Sequence, residues 1–234
     1  MRITWFGHSC FRIETGAAVI LIDPFLKGNP TFQASGIAWD VATAGVTHVA
    51  LTHGHDDHIG DAAEICALRQ APLFAAYELA LHVKGKSDIS VQPMNTGGTV
   101  AVADFALTLT QALHSSSSGG VYLGNPCGIV IRPSTAADRG KVVYHMGDTD
   151  VFAGMGLVNE LHQPTIGIVP IGDRFTMGAA SAAFACKRFF HFKTVIPCHY
   201  GTFPGMLDAD ASKFTAEMSG HNVLVPPVGA AQEV

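Results

Sequence analysis

Residues 46–70 read VTHVALTHGHDDHIGDAAEICALRQ, and the fold is decided by how this stretch is parsed. Val46 to Thr52 is a short apolar run with strand character. Asp61-Ala62-Ala63-Glu64 has the spacing of a capping box that opens a helix over AAEICALRQ. Between them, Thr52-His53-Gly54-His55-Asp56-Asp57-His58 places the metal-binding residue types His53, His55, Asp57 and His58 where a strand turns into a helix. On extended backbone His53 and His55, two apart, point to the same side, while the turn lets Asp57 and His58 face a second position. That spacing suits two adjacent ions. Imidazole with carboxylate is a donor set for borderline divalent ions, zinc first, with manganese, iron or nickel also served. A histidine-rich surface turn is the blander reading. It is opposed by the cost of burying several histidines and an acid beside an apolar strand unless something binds them.

Outward from this stretch, strands and helices alternate. Residues 2–13 and 17–23 are predicted as an opening strand pair around Glu14-Thr15-Gly16, and 26–36 as a covering loop. Leu73 to Ala76 reads as a short strand and Tyr77 to Val83 as a helix ending near Gly85. Strand-like runs follow at 99–103, 105–112, 121–123, 127–132 and 141–146; helical patterns at 179–190 and 208–219 flank a strand from Thr194 to Cys198. The expectation is one layered α/β domain over residues 1–234.

Composition excludes several functions. With 48% hydrophobic and 14% charged residues, the 234-residue chain has ample core material and little that reads as disordered. Net charge is −5, and basic residues come close together only at Lys84/Lys86 and Lys187/Arg188, so no nucleic-acid partner is expected. Five cysteines form no CxxC pair, and an odd number cannot close fully into disulfides, which fits a reducing compartment. The opening MRITWFGHSCF is not a basic leader with an apolar run behind it, and no stretch reaches the roughly 18 apolar residues of a membrane span. A cytoplasmic protein with no membrane partner is expected; its oligomeric state is not legible.

The pattern HxHxDH, here His53, His55, Asp57 and His58, resembles the signature of the metallo-beta-lactamase superfamily. Later single residues match that family's remaining elements in order: His114 after LTLTQAL, Asp148 in GDTD and His199 in PCHYG. The opening WFGHSCFRIE, with LIDPF and CHYGTFP, is similar to a small bacterial subgroup of metal-dependent hydrolases, close in pattern to the ascorbate-phosphate lactonases. The resemblance runs nearly the length of the chain. It implies a four-layer αβ/βα sandwich of two mixed sheets flanked by helices. It also implies one ion held by His53, His55 and His114, a second by Asp57, His58 and His199, and Asp148 bridging them. On that ligand set two divalent ions, Asp57, Asp148 and a hydroxide sum to a net charge of about +1, which favours an anionic or strongly polarised oxygen. The nucleophile is then a metal-activated water, with Asp57 a candidate to orient it.

Substrate-lining candidates are His8, Asp23, Tyr200 and Thr202, of which Asp23 is equally placed to orient a ligand imidazole. His48 and His145 sit an odd number of residues from their neighbouring ligands and read as structural. Asp150 reads as a turn residue, Cys198 as a small buried one, and the Ser115–Gly120 run as a surface loop. The leading expectation is hydrolysis of a small ester-like substrate: a phosphodiester, a phosphoester or a lactone. A non-haem iron dioxygenase on the same fold and a non-catalytic metal-binding protein are the alternatives. In the diiron proteins of this fold glutamate usually stands at the position of His55, which sets this chain apart from them.

Overall fold

The computed structural model describes residues 1–234. It opens with three antiparallel strands, β1 (Arg2–Trp5), β2 (Phe11–Thr15) and β3 (Ala18–Ile22). The strand expected over 2–13 is broken at Gly7-His8-Ser9. There Phe6 N–H donates to Cys10 O at 2.9 Å and Cys10 N–H to Gly7 O at 3.0 Å, closing a tight turn. The β2–β3 turn has only two residues between the paired Thr15 and Ala18, and Gly16 takes φ +56° there, a conformation that suits glycine in hairpins this short.

The 26–36 segment, expected as loop, holds a short helix α1 (Pro30–Ala34), with Asn29 accepting from Thr31 N–H and Phe32 N–H. After α2 (Trp39–Thr43) the chain forms β4 (His48–Ala50), the single helical turn α3 (Asp56–Ile59) and α4 (Ala62–Arg69). The capping box does not form. Asp61 Oδ2 instead accepts from Leu26 N–H at 3.1 Å and Lys27 N–H at 2.8 Å, and Glu64 pairs with Lys27, so both acids tie down the preceding loop. Then come β5 (Leu73–Ala76), α5 (Tyr77–Lys84) and β6 (Val91–Met94). Gln92 and Pro93 hide β6 from a sequence reading, and its place at the sheet edge tolerates them.

The second half supplies β7 (Thr99–Ala101), β8 (Phe105–Gln111), a two-stranded ribbon of β9 (Ser117–Ser118) and β10 (Val121–Tyr122), β11 (Cys127–Pro133) and β12 (Val143–His145). Helix α6 (Met155–His162) leads to β13 (Ile166–Pro170), α7 (Ala179–Phe189), β14 (Thr194–Cys198) and α8 (Ser212–Glu217). Finally β15 (Gln232–Glu233) returns to pair with β1. One sheet runs β15-β1-β2-β3-β4-β5-β6 and the other β14-β13-β12-β11-β8-β7.

Both sheets mix parallel and antiparallel pairs and are flanked by helices, as the resemblance implied. Phe11 of the first sheet packs edge-on to His145 of the second, ring centroids 5.5 Å apart. His145 is structural: Gly147 N–H donates to its Nδ1, so its Nε2–H donates to Ser9 O at 3.1 Å. His48 is likewise wedged between Phe74 and Phe105. No helix is long and apolar enough to cross a membrane.

Candidate metal centre

Strand direction gathers the site. Because β2 is antiparallel to both β1 and β3, strands β1, β3 and β4 run the same way. Because β11 is antiparallel to both β8 and β12, strands β8, β12, β13 and β14 also share one direction. His8, Asp23 and His53 follow the ends of β1, β3 and β4; His114, Asp148 and His199 follow those of β8, β12 and β14. Two hydrogen bonds clamp the β8 and β12 ends side by side: Leu113 N–H donates to Thr149 Oγ1 at 3.0 Å and Asp150 N–H to Leu113 O at 3.1 Å.

Around the buried Asp148 the histidines converge. Its Oδ2 lies 3.0 Å from His199 Nε2, 3.3 Å from His58 Nε2, 3.6 Å from His114 Nε2 and 4.0 Å from His53 Nε2. His53 Nε2 is 2.9 Å from His55 Nδ1, and Asp57 Oδ2 is 3.1 Å from His8 Nε2. Three overlapping groups of donor atoms, each within 4.8 Å, result: His8, Asp57, His58 and His199; His53, His55 and His114; His53, His58 and Asp148.

Hydrogen bonding behind these rings says which nitrogens are free. Asp23 accepts from Thr52 N–H at 2.8 Å, from the Thr52 hydroxyl at 2.6 Å and from His58 Nδ1–H at 2.8 Å. The Thr52 hydroxyl, its hydrogen given to Asp23, accepts from His53 Nδ1–H at 3.0 Å. One buried acid and one threonine thus leave Nε2 of both His53 and His58 as lone pairs aimed at the centre. His58 Nε2 and Asp148 Oδ1 are buried with no hydrogen-bond partner. Lone pairs crowded together without donors fit a cation, and imidazole with carboxylate fits a borderline divalent one.

Charge effects agree. Burial raises Asp148, but the neighbouring His199 and His58 outweigh it and hold the carboxyl well below its ordinary range. Asp57 is also raised by burial, and is lowered overall by its hydrogen bond to His8 and the charge of His58. Burial pushes His53 well below the usual imidazole value and lowers His55 and His114 as well. His58 is the exception. Burial lowers it, yet Asp148 and then Asp23 raise it well above its usual value.

Of the substrate-lining candidates, none lines the cavity. Asp23 is fully buried behind His58. His8 is fully buried between Asp57 and Thr202, with burial and then the charge of His199 pushing it down to about 4. Thr202 is buried, and Tyr200 stacks on Trp5 at 5.1 Å between ring centroids, because His199 at φ +59° and Gly201 at φ +71° turn the chain inward. Asp150 accepts from Val151 N–H as a turn residue, and Asp56 turns away to accept from Ser118. Burial pushes the Cys198 thiol well above its ordinary value.

A cavity of about 340 Å³ opens over His55, Asp57, His114, Asp148 and His199. Its walls are Phe175, Phe203 and Met206, with Ser115, whose hydroxyl lies 3.2 Å from His55 Nε2. Nothing in the local sequence marks Phe175 or Met206. The four wall residues come from three loops, Phe203 and Met206 from the same one after β14, and only the tertiary fold brings them together.

Residues 2–199 match the family described as the beta-lactamase superfamily domain. A UPF0173 metal-dependent hydrolase of Mesorhizobium japonicum is 52% identical over 238 residues, covering 98% of each chain. One of Chelativorans sp. is 53% identical over 243 residues, covering 100% of this chain and 99% of its own. Among solved structures, Igni18, a metallo hydrolase from the hyperthermophilic archaeon Ignicoccus hospitalis, matches with a TM-score of 0.85 at 32% identity, over 100% of this chain and 98% of its own. Convergent donor atoms at the strand ends and whole-length likeness lead to one conclusion: this chain belongs to the beta-lactamase superfamily, among its metal-dependent hydrolases.

Proposed function

We propose that the chain is a cytoplasmic hydrolase of small ester-like substrates, phosphodiesters, phosphomonoesters or lactones, using two divalent ions, zinc foremost. His53, His55 and His114 would hold one ion, Asp57, His58 and His199 the other, and Asp148 would stand between them. The observation that carries this reading is the set of overlapping donor groups at the floor of one open cavity. Ions held there would supply Lewis acidity, which can lower the pKa of a bound water from about 15.7 toward roughly 7 and stabilise a developing oxyanion.

The residues of the chain do the rest. Asp23 and Thr52 orient His58 and His53, and Asp148 and Asp57 remain ionised at neutral pH. With Nδ1 facing the floor as an ion's ligand, His55 would carry its hydrogen on Nε2 and donate it to Ser115. A serine bonded in that way would lack a base, which supports solvent as the nucleophile. Phe175, Phe203 and Met206 give the cavity apolar walls beside that polar floor. The cavity volume lies at the small end of the roughly 300–1,000 Å³ usual for small-molecule sites.

The test is metal removal and restoration, run against a panel of phosphodiesters, phosphomonoesters, lactones and thioesters. Hydrolysis of at least one class should vanish with chelation and return with about two equivalents of zinc. Turnover that survives in rigorously metal-free protein, or no turnover of any class by fully loaded protein, sinks the reading.

A further inference from the structure

His8 stands outside the ligand set given above, yet its Nε2 falls within the same 4.8 Å cluster as the donor atoms of Asp57, His58 and His199. We propose that His8 is itself a ligand of the second ion, completing a site of His8, Asp57, His58 and His199; this rests on the two-ion reading.

The first support is spacing. Nitrogen donors at 2.0–2.1 Å from a tetrahedral zinc lie about 3.3 Å apart. His8 Nε2 is 3.1 Å from Asp57 Oδ2. Contacts between assigned ligands have the same length: 2.9 Å for His53 with His55 and 3.0 Å for His199 with Asp148.

Hydrogen accounting is the second. The Thr202 hydroxyl has one hydrogen and donates it to Tyr200 O at 3.3 Å. With that hydrogen given to Tyr200, the Thr202 oxygen can accept from His8 Nδ1–H at 3.1 Å, and in that tautomer the hydrogen that would otherwise bond Asp57 is absent and His8 Nε2 is a lone pair. That lone pair faces a carboxylate. Two acceptors at 3.1 Å repel unless a cation lies between them.

Third, His8 is held in place as a ligand must be. Phe25 and Phe203 flank its ring edge-on, at 5.9 and 5.5 Å between centroids, and the His199 ring lies 4.1 Å away. Its backbone sits at φ +52°, a conformation that non-glycine residues adopt only where the surroundings enforce it. Here its carbonyl accepts from His199 N–H at 3.0 Å and Trp5 Nε1–H at 2.9 Å. The turn that presents His8 is thereby locked to the turn that presents His199.

The competing role is that of a positioning residue, with Thr202 donating to Nδ1 and Nε2–H donating to Asp57. His8→Gln separates the two, since the amide can still donate to Asp57 but is a poor metal ligand. Zinc stoichiometry and chelator competition on the full chain should give two equivalents for the wild type. In His8→Gln one equivalent should stay tight and the other weaken at least ~100-fold, beyond the ~10–100-fold usual for an outer hydrogen-bond partner. With cobalt, the variant's visible absorption should change as one site loses an imidazole. A variant that keeps both equivalents within threefold, with unchanged cobalt absorption, overturns the assignment. A second measurement needs no variant: cadmium-113 coupling to 15N-histidine in loaded wild-type protein should include His8 alongside His58 and His199. Coupling at those two without His8 overturns the proposal, whereas a wild type that takes up only one ion overturns the two-ion reading itself.

Discussion

Asp23 Oδ2 lies 2.8 Å from His58 Nδ1, and the same carboxyl group takes two further hydrogen bonds from Thr52. Since a carboxylate only accepts, this contact decides which nitrogen of His58 is left to face the candidate metal centre. Asp23→Ala is expected to weaken metal binding by about 10–100-fold, or about 1.4–2.7 kcal/mol. It also strands the Thr52 N–H, costing about 1–3 kcal/mol of stability. Asp23→Asn, which keeps an acceptor, should recover part of both. Chelator competition and denaturant titration would measure the two effects separately, and unchanged metal affinity in Asp23→Ala would remove Asp23 from the site.

A second prediction concerns close backbone approach. A Cβ added at Gly172, just past β13, would lie 2.0 Å from the carbonyl oxygen of His199. No side chain can swing aside to relieve that, so Gly172→Ala must push the His199 turn. We expect a loss of about 1–3 kcal/mol in stability, as for overpacking elsewhere, and, on the two-ion reading proposed above, a metal content falling from two ions toward one. Retention of both ions with full thermal stability would show that the turn can yield freely.

Far from the centre, acid sensitivity can be traced to Asp138. Its carboxylate accepts from the Met1 amino group at 2.6 Å, Lys141 at 3.2 Å and the Thr15 hydroxyl at 2.8 Å. Burial raises the group, but these hydrogen bonds prevail and bring it down to about 2. A depressed carboxyl contributes stability that is complete above its unfolded value of about 3.9 and disappears as pH falls from there through about 2. Asp138→Asn should therefore be less stable than the wild type by about 1 kcal/mol at pH 7, and the gap should shrink below about pH 4 and close below about pH 2. A gap that persists undiminished in acid would assign it to packing rather than charge.

At the mouth, Phe175 and Met206 are 45% and 44% exposed while lining the cavity. Trimming either to alanine should change kcat/KM between bulky and small substrates of the active class by up to about 10-fold, mainly through KM. Metal content should be unchanged. A loss of bound metal would mean that these side chains support the floor instead.

How much of this was legible beforehand depends on how local each feature is. His53, His55, Asp57 and His58 sit within one turn, so spacing alone exposes them. His114, Asp148 and His199 are each unremarkable where they stand; only order within a family pattern singles them out, because strand direction is what makes them converge. Asp23 was open between pocket and ligand support, and burial behind His58 resolves it toward support. Tyr200 and Thr202 were misplaced because a left-handed residue at His199 reverses the chain, which neighbouring residue types do not announce. Strand β13 escaped notice for another reason. All five of its residues are buried, so Ile166–Pro170 shows no alternation to read. The role of Thr52 was missed as well, since a threonine ending a strand looks ordinary until its hydroxyl is seen between Asp23 and His53.

The donor residues follow strand ends of both sheets, His53 and His58 on one side, His114, Asp148 and His199 on the other. An ion gripped by both is consequently a rivet across the seam, and its binding energy resists any movement that spreads that edge. Amide hydrogen exchange in the turns after β4, β12 and β14 should slow together on loading, while the opposite edge of the sandwich stays indifferent. On the proposed ligand set, catalytic readiness and mechanical closure of the seam would be one equilibrium, set by the free concentration of metal around the protein.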